Sequence, residues 1–255
     1  MNCKHIDLDE NNLNGTLPKE LAKLENIEDI GFDGNQKIRG PIPADFGTLT
    51  MLKILDLDDN RIAGPIPATL FNASSLRTLD MNGNLLEGTL STRFGELDEL
   101  RIVMLENNTL TGTLPSELGQ LNKLRYLTLD NNKLEGPIPD TFSALDQLQF
   151  LTLHNNDGIN GPLPSYLGTF TNLRLLSFFN SEMSGTIPSA LGRLTRLEAL
   201  YLHGTGLEGV MPAEICDLRT DVAGGEPGMR LEVLTADCGG ENPKVTCDCC
   251  TGCFR

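Results

Sequence analysis

Carboxylates are the most numerous side chains that could do chemistry, and several recur at regular spacing in the first third of the chain. Asp9, Asp33 and Asp58 are separated by 24 and 25 residues. Like groups repeated in this way could attract a basic partner, ligate calcium through their oxygens, or supply paired carboxylates for acid and base catalysis. Further carboxylates in the same part of the chain are Asp7, Asp29, Asp56, Asp59 and Asp80.

The sequence offers little else for catalysis. Of three histidines, His154 and His203 lie two steps of the same spacing apart. They would therefore stand ~10 Å apart on parallel strands, too far to share a metal ion that needs ~2.1 Å to each ligand. A row of equivalent carboxylates lacks the difference in environment that separates an acid from a base. The sequence predicts that the protein is not an enzyme, with no catalytic residue, metal or cofactor.

Charge restricts the class of partner. The chain has 20 basic and 35 acidic residues, a formal net charge of −15. This excess disfavours nucleic acid, which needs a basic face, and favours a protein or peptide partner that is itself basic. The alternative is that the excess only keeps an extended surface soluble. No stretch reaches the ~20 apolar residues of a membrane span.

All of these residues fall within an internal repeat. The stretch LRIVMLENNTLTGTLP opening at Leu100 aligns with LRYLTLDNNKLEGPIP opening at Leu124, and the shared pattern is LxxLxLxxNxLxGxIPxxLGxLxx. The pattern predicts an α/β repeat solenoid, in which each LxxLxL segment is a strand paired in parallel with the next. Nine repeats of 24 or 25 residues begin at Cys3, Ile27, Leu52, Leu76, Leu100, Leu124, Leu148, Leu173 and Leu197.

Three slots of the repeat predict how each coil turns. An Asn follows the strand in seven copies and should satisfy backbone groups at the bend; Ser181 and Thr205 replace it and can do this only in part. A Gly in every copy, from Gly15 to Gly209, predicts positive φ. A Pro follows in eight copies, and the turn at Ser91, the exception, is expected to be looser.

The LxGxIP element resembles that of plant-type leucine-rich repeats. Over residues 3–219 the chain is similar to polygalacturonase-inhibiting proteins and to the ectodomains of plant receptor kinases. The resemblance implies a right-handed leucine-rich-repeat superhelix with a parallel concave β-sheet, and a second sheet made by the LxGxIP segments. It also implies recognition of proteins, peptides or small ligands on the concave face, without identifying the ligand.

Residues 220–255 are predicted to form a Cys-rich, disulfide-bonded cap on the 3–219 solenoid, with one more strand at 231–237 after a Gly-rich insertion at 221–230. This tail is similar to the cap of secreted leucine-rich-repeat proteins of diatoms and related algae. The pairing is open, except that adjacent cysteines 249 and 250 are not expected to bond each other. A zinc site made by the last four cysteines is the alternative. The six cysteines are Cys216, Cys238, Cys247, Cys249, Cys250 and Cys253.

The amino terminus begins inside a repeat, with Cys3 as a lone cysteine and no apolar signal segment. We expect an amino-terminal cap and a signal segment that this sequence does not contain. Glycosylation sequons at Asn14, Asn72 and Asn107, together with the cysteine cluster, predict an extracellular protein, secreted or at the cell surface. Asn14 and Asn72 are expected to lie outside the strands.

The unspecified positions of LxxLxL are expected to face solvent on the concave sheet. In the first four strands they hold candidate ligand-binding carboxylates, which could form a docking site for a basic partner or a calcium site. Like charges stacked on paired strands are otherwise destabilising, and the remaining alternative is that basic residues in a flanking slot neutralise them. The candidates are Asp33, Asp56, Asp58 and Asp80; the flanking residues are Lys53, Arg77, Arg101 and Arg125.

Later strands change in character. The slot before the second Leu holds Ile102, Tyr126, Phe150, Leu175 and Ala199. Contiguous exposed aromatics indicate a contact surface, although a cross-strand ladder that only stabilises the sheet is the alternative. The candidate ligand-binding residues of this half are Tyr126, Phe150, His154, Phe179, Tyr201 and His203.

These features predict a non-catalytic extracellular scaffold that binds a protein or peptide ligand on its concave face, as a receptor-like, defence or adhesion protein. One alternative is an inhibitor of a secreted polysaccharide hydrolase such as a polygalacturonase. Another is a structural component of a cell wall, which would self-associate and bind no saturable ligand.

Overall fold

Two parallel sheets run side by side through a computed structural model that describes residues 3–219 and 230–255. In these residues the first sheet has eleven strands and the second has ten, and each sheet follows chain order. Each coil contributes one strand to each sheet, so neighbours in a sheet are also neighbours along the chain. The predicted repeat solenoid is confirmed, whereas most of the predicted Gly-rich insertion lies outside the described residues.

The strands are short because each coil turns twice within about 24 residues. Strands of the first sheet are His5–Asp7, Asp29–Gly31, Ile54–Asp56, Thr78–Asp80, Ile102–Met104, Tyr126–Thr128, Phe150–Thr152, Leu175–Ser177, Ala199–Tyr201, Val233–Ala236 and Gly252–Cys253. Strands of the second sheet are Asn14–Gly15, Lys37–Gly40, Arg61–Gly64, Leu85–Thr89, Thr109–Thr113, Lys133–Gly136, Asn156–Pro162, Ser181–Thr186, Gly206–Val210 and Val245–Thr246.

The helical part of each coil is one 3-10 turn; in the described residues the sole α-helix is Ala213–Cys216. The leucines of the repeat point between the sheets and these turns: Leu55, Leu79 and Leu127 have no exposed surface. Burying one such side chain contributes roughly 1.5–3 kcal/mol. The 3-10 helices are Lys19–Lys23, Ala44–Thr48, Ala68–Asn72, Thr92–Glu96, Ser116–Gln120, Asp140–Ala144, Ser165–Thr169 and Ser189–Arg193.

The buried Asn of a regular coil satisfies backbone groups at the bend, as predicted, and it also joins that coil to the preceding one. Asn108 Nδ2 donates to the carbonyl oxygens of Met81 at 3.0 Å and Leu105 at 3.1 Å, and its Oδ1 accepts from Leu86 N–H at 2.9 Å. Ser181 makes a single side-chain bond, from Oγ to Phe178 O at 2.6 Å. The shorter side chain therefore does only part of the work, as its size predicts.

The two coils with an extra residue interrupt this pattern. In the coil that opens at Ile27, the Ile38 N–H donates to the carbonyl oxygen of its own Asn35 at 2.9 Å. The Oδ1 of Asn60, which the regular pattern would pair with Ile38, is buried and has no hydrogen-bond partner. The coil after the second lengthened coil has Ser181 in place of the Asn. It therefore has no amide oxygen that could be left unpaired.

A cavity lies beside the bend of each lengthened coil. One, of about 230 Å³, is lined by Gln36, Asp59, Asn60, Arg61 and Gly83. The other, of about 470 Å³, has the corresponding residues of the later coil in its lining. These are Asn155, Asp157, Asn180, Ser181, Glu182 and Gly204. Gln36 and Asp157 are the extra residues, so each cavity follows from the insertion.

The prediction of a looser turn at Ser91 is wrong. Ser91 has φ −74° and ψ 140°, close to the φ −68° and ψ 135° of Pro115 at the equivalent position. Its Oγ accepts a hydrogen bond from Arg93 N–H at 3.2 Å and so caps the 3-10 turn. A capping hydroxyl therefore replaces the constraint that the proline ring supplies elsewhere.

The carboxyl end is held by three disulfides, Cys216–Cys249, Cys238–Cys253 and Cys247–Cys250. Bridging occupies all four cysteines of the alternative zinc site. Arg219 donates to Cys249 O at 2.8 Å. The strand Gly252–Cys253, which the repeat pattern did not predict, pairs with Val233–Ala236 at the end of the first sheet. The division between solenoid and cap stays a prediction.

We expect Asn108→Ala to lower the free energy of unfolding by about 3 kcal/mol, because it removes several buried hydrogen bonds of about 1 kcal/mol each and leaves Leu86 N–H unpaired. Asn60→Ala is the matched control. It should cost about 1 kcal/mol less, since no amide N–H is left without its acceptor. Urea denaturation followed by circular dichroism measures both, and a larger cost at Asn60 would contradict this account.

Candidate functional site

Three columns of side chains cross the solvent-facing side of the first sheet, each with one residue per coil. The first two columns lie on directly paired positions, and the third lies just beyond the ends of the strands. The entry column is His5, Asp29, Ile54, Thr78, Ile102, Tyr126, Phe150, Leu175, Ala199 and Val233. The middle column, two residues later, is Asp7, Gly31, Asp56, Asp80, Met104, Thr128, Thr152, Ser177, Tyr201 and Thr235. The exit column, two residues later again, is Asp9, Asp33, Asp58, Asn82, Glu106, Asp130, His154, Phe179, His203 and Asp237.

The predicted carboxylates come together in the first coils. Asp33, Asp56 and Asp58 each have a carboxylate oxygen within 4.8 Å of the others, and Asp80 is paired with Asp56 across the sheet. These residues are partly exposed. Their oxygens could accept hydrogen bonds from a guanidinium or ammonium group, or ligate a hard cation.

Burial makes Asp56, Asp58 and Asp80 hard to ionise. It raises the pKa of Asp56 to about 7, with the charges of Asp80 and Asp58 adding to the effect. Burial also raises the pKa of Asp58 and of Asp80 above the usual range, and that of Asp9 to about 6. In addition, Asp56 Oδ1 is buried without a hydrogen-bond partner. Asp80 and Asp58 accept hydrogen bonds from Asn82, but burial outweighs these bonds and the pKa values stay raised.

The flanking basic residues do not supply counter-charges to these carboxylates. Lys53 is hydrogen-bonded to Glu28, as is Lys4 at 2.5 Å, and the two lysines lower the pKa of Glu28 to about 2. Among the described residues, no Lys or Arg lies within ion-pair distance of any of the four carboxylates, Asp33, Asp56, Asp58 and Asp80. The alternative in which Lys53, Arg77, Arg101 and Arg125 neutralise the carboxylates through ion pairs is wrong.

The exit column extends the acidic surface through two residues that the sequence analysis did not select, Glu106 and Asp130. Each carboxylate accepts a hydrogen bond from a hydroxyl in the middle column of the next coil, Glu106 from Thr128 and Asp130 from Thr152. His154 Nε2 lies 3.2 Å from Asp130 Oδ2. The slot two positions beyond the strand, compared across all coils, would have revealed both residues.

The aromatic residues stack along the columns. Tyr126 and Phe150 have ring centroids 4.7 Å apart and nearly parallel planes. In the exit column, Phe179 lies between His154 at 4.1 Å and His203 at 4.8 Å. The two histidines are thus separated by a ring, in agreement with the expectation that they do not share a metal.

This aromatic series continues into the carboxyl-terminal region. Phe254, which is 44% exposed, stacks on His203 with centroids 3.9 Å apart. Burial lowers the pKa of His154 and of His203 below the usual value, so both rings are neutral at pH 7 and act mainly as flat, uncharged surfaces. Phe254 lies outside the repeat, and the repeat pattern therefore could not indicate it.

All three predicted sequon asparagines are exposed. Asn107 lies just beyond the exit column with φ 56°. Asn72 accepts a hydrogen bond from Arg93 at 2.9 Å. Asn14 lies in the strand Asn14–Gly15 of the second sheet rather than outside the strands, since its coil forms the LxGxIP strand one residue after Leu13. Glycosylation at these positions stays a prediction.

Comparison with known proteins places the chain among repeat proteins. A family model described as "Leucine-rich repeat region" matches residues 66–219, and one described as "Leucine Rich Repeat" matches residues 2–24 and 51–73. The curated proteins gave no significant match. In the described part of the chain, every helix is too short or too polar to cross a bilayer.

Solved structures of plant receptor ectodomains are similar to this chain. The LRR ectodomain of the membrane receptor kinase GASSHO1/SCHENGEN3 from Arabidopsis thaliana, in complex with CASPARIAN STRIP INTEGRITY FACTOR 2, is 34% identical with a TM-score of 0.79. The match covers 84% of this chain and 26% of that one. The ectodomain of the Arabidopsis receptor kinase HAESA, in complex with an IDA peptide hormone, is 27% identical with a TM-score of 0.77, covering 90% and 38%. The chain thus spans well under half the length of either ectodomain.

We expect Asp56→Asn to raise the free energy of unfolding by roughly 1–3 kcal/mol at pH 7.5, where the wild-type carboxylate is ionised at a cost. A raised pKa in the folded state stabilises the fold when the group is protonated, so this contribution is lost as pH rises through about 7. Urea denaturation between pH 4 and pH 8 should show a flatter pH dependence for the variant. An unchanged dependence would contradict the assignment.

Proposed function

Because this chain belongs to the leucine-rich-repeat family, we propose that it is a non-catalytic extracellular recognition scaffold, which binds a protein or peptide ligand on the solvent-facing side of its first sheet. The observation that carries the proposal is the contrast along this side, with unpaired carboxylates in the early coils and stacked aromatics in the later ones. Three disulfides support an oxidising, extracellular location. The similar ectodomains solved with a peptide hormone or with CASPARIAN STRIP INTEGRITY FACTOR 2 support a protein or peptide ligand.

The acidic half would bind basic side chains of the ligand. An arginine or lysine placed between Asp56 and Asp58 would favour their ionised form and so oppose the burial and mutual repulsion that raise their pKa. Asp33 and Asp80 border the same position. The cost of leaving these carboxylates unpaired in the free protein thus becomes part of the driving force for binding.

The aromatic half would contribute apolar contact. Tyr126, Phe150 and Phe179 are partly exposed, and their rings are held by stacking on their neighbours, so little side-chain entropy remains to be lost on binding. Tyr201 meets Phe179 edge-on at 6.1 Å. Aromatic rings fixed in this way are the side chains that most often dominate binding energy at an interface.

The spacing of the two halves indicates the size of the ligand. Asp33 and His203 are separated by seven strand steps in the exit column, or ~34 Å at ~4.8 Å per step. An extended peptide rises ~3.3 Å per residue, so about ten residues would reach from one half to the other. We therefore propose an extended segment with basic residues at one end and apolar residues at the other.

The direct test uses the chain as bait on a native extracellular fraction, alongside two variants, Asp56→Lys/Asp58→Lys and Phe179→Ala/Tyr201→Ala. A partner retained by wild type and lost with both variants would support the proposal. A partner retained equally by all three baits would place recognition elsewhere. A calcium chelator is added to a parallel sample of the wild-type bait. If the ligand binds through a calcium ion, the chelator will abolish its capture; if the ligand contacts the carboxylates directly, capture will be unchanged.

We expect Asp56→Lys/Asp58→Lys to weaken the captured ligand about 10- to 100-fold at low salt, with the effect shrinking as ionic strength rises, because the lost attraction is electrostatic. Glu87→Lys/Glu135→Lys is the matched control, with the same change in net charge at exposed positions of the second sheet. Calorimetry at two salt concentrations measures both. Equal weakening by the control would mean that net charge alone is responsible.

We expect Phe179→Ala/Tyr201→Ala to weaken the same ligand about tenfold or more at any salt concentration, because it removes apolar contact. Melting temperature is measured in parallel. If the stacked rings serve only to stabilise the sheet, the melting temperature will fall while the dissociation constant of the folded protein stays unchanged.

A further inference from the structure

A basic cavity lies on the second sheet, away from the columns described above. Lys37, Arg39 and Arg61 line a volume of about 230 Å³ together with Asn14 and Gly15. These residues come from the first three coils, and the three cations are all exposed. The chain as a whole has a net charge of −15. This cavity is instead locally positive, because three cations and no carboxylate line it.

The strand pairing brings the cations together. Arg39 and Arg61 occupy directly paired positions on adjacent strands, and Lys37 is paired with Asn14 on the other side. Like charges on directly paired positions repel and destabilise a sheet. None of the three side chains forms a hydrogen bond or ion pair with any residue that the structure describes. The fold thus holds an unbalanced positive cluster in place.

The second and third coils carry a cation in the same slot of the repeat. Lys37 precedes Ile38 as Arg61 precedes Ile62 in the next coil, and the strand Lys37–Gly40 begins at Lys37. Gly15 keeps the floor of the cavity open: its φ is +102°, and no atom lies within 4 Å of the place a Cβ would occupy. Asp59 borders the neighbouring cavity on the other side of Arg61 but does not line this one.

We propose that this cavity binds a phosphate or sulfate group through Arg39, Arg61 and Lys37. A guanidinium group presents paired N–H donors that match two oxygens of such an anion, and an ammonium group adds a third charged donor. The volume equals that of about eight water molecules at ~30 Å³ each, so a group attached to a sugar ring can enter as well as the free ion. Binding here is independent of the ligand on the first sheet.

Asn14 connects this proposal to the predicted sequons, because it both lines the cavity and begins Asn14-Gly15-Thr16. A glycan on Asn14 would stand at the cavity and compete for the space. The test therefore uses the full chain produced in a bacterial periplasm, where disulfides form and this glycan is not attached.

The experiment titrates inorganic phosphate, inorganic sulfate, glucose 6-phosphate and glucose into the full chain at low ionic strength, by calorimetry and by thermal shift. We expect saturable binding of the charged probes, no binding of glucose, and a rise in melting temperature with the anion present. Tighter binding of glucose 6-phosphate than of either free ion would identify a sugar-linked group as the source. No saturable binding of any charged probe would overturn the proposal.

Arg39→Gln/Arg61→Gln should lower the affinity for the charged probes about tenfold or more, since two charge-assisted contacts are lost. Lys133→Gln, at the slot of Arg61 in a later coil, is the matched control and should leave affinity unchanged. Without anion, the double variant should melt at a higher temperature than wild type because the repulsion is gone. An equal loss of affinity in the Lys133→Gln control would overturn the proposal. So would self-association of the wild-type chain without anion, if the double variant abolished it, because the cluster would then be an interface between copies of the chain.

Discussion

The structure depends on one polar side chain at the bend of each coil, an Asn in seven of the nine repeats and Ser181 or Thr205 in the other two. A coil of about 24 residues must bend sharply after its strand, and the bend leaves backbone N–H and C=O groups inside the solenoid, where no water can pair with them. The Asn side chain at that point satisfies groups of its own coil and of the preceding coil, as Asn108 does. Because the same bonds close the bend and join adjacent coils, successive strands of the first sheet pair in the same register.

Uniform register fixes the character of the outer surface. Side chains in equivalent slots are held ~4.8 Å from one another, so a column of like residues interacts strongly with itself. Where the column is acidic, burial and repulsion raise the pKa of Asp56. Where the column is aromatic, the rings stack, as His154, Phe179 and His203 do. One scaffold therefore supports an electrostatically strained half and an apolar, ordered half without any change in backbone design.

The periodic part of the molecule could be predicted from the sequence because each slot has one physical duty. The spacing of leucines gave the strands, and the numbering of Asp33 and Asp58 placed them on neighbouring coils. Contacts between slots were harder to foresee. Glu106 and Asp130 acquire their role from hydroxyls in the next coil, and Phe254 reaches the sheet from a segment without a repeat. Ser91 shows that a capping hydroxyl can take the place of the proline found in the other coils. The repeat pattern records only that the proline is missing, so it could not indicate this replacement.

The lengthened coils show how such a scaffold can change locally. An extra residue after the bend leaves the first sheet in register, yet it opens a cavity beside Gln36 and a larger one beside Asp157. At the earlier site the disturbance is limited to one unpaired amide oxygen, on Asn60. A single-residue insertion can thus create a new recess on the flank of a solenoid. Because the first sheet keeps its register, such a recess can change without altering the face that meets the principal ligand.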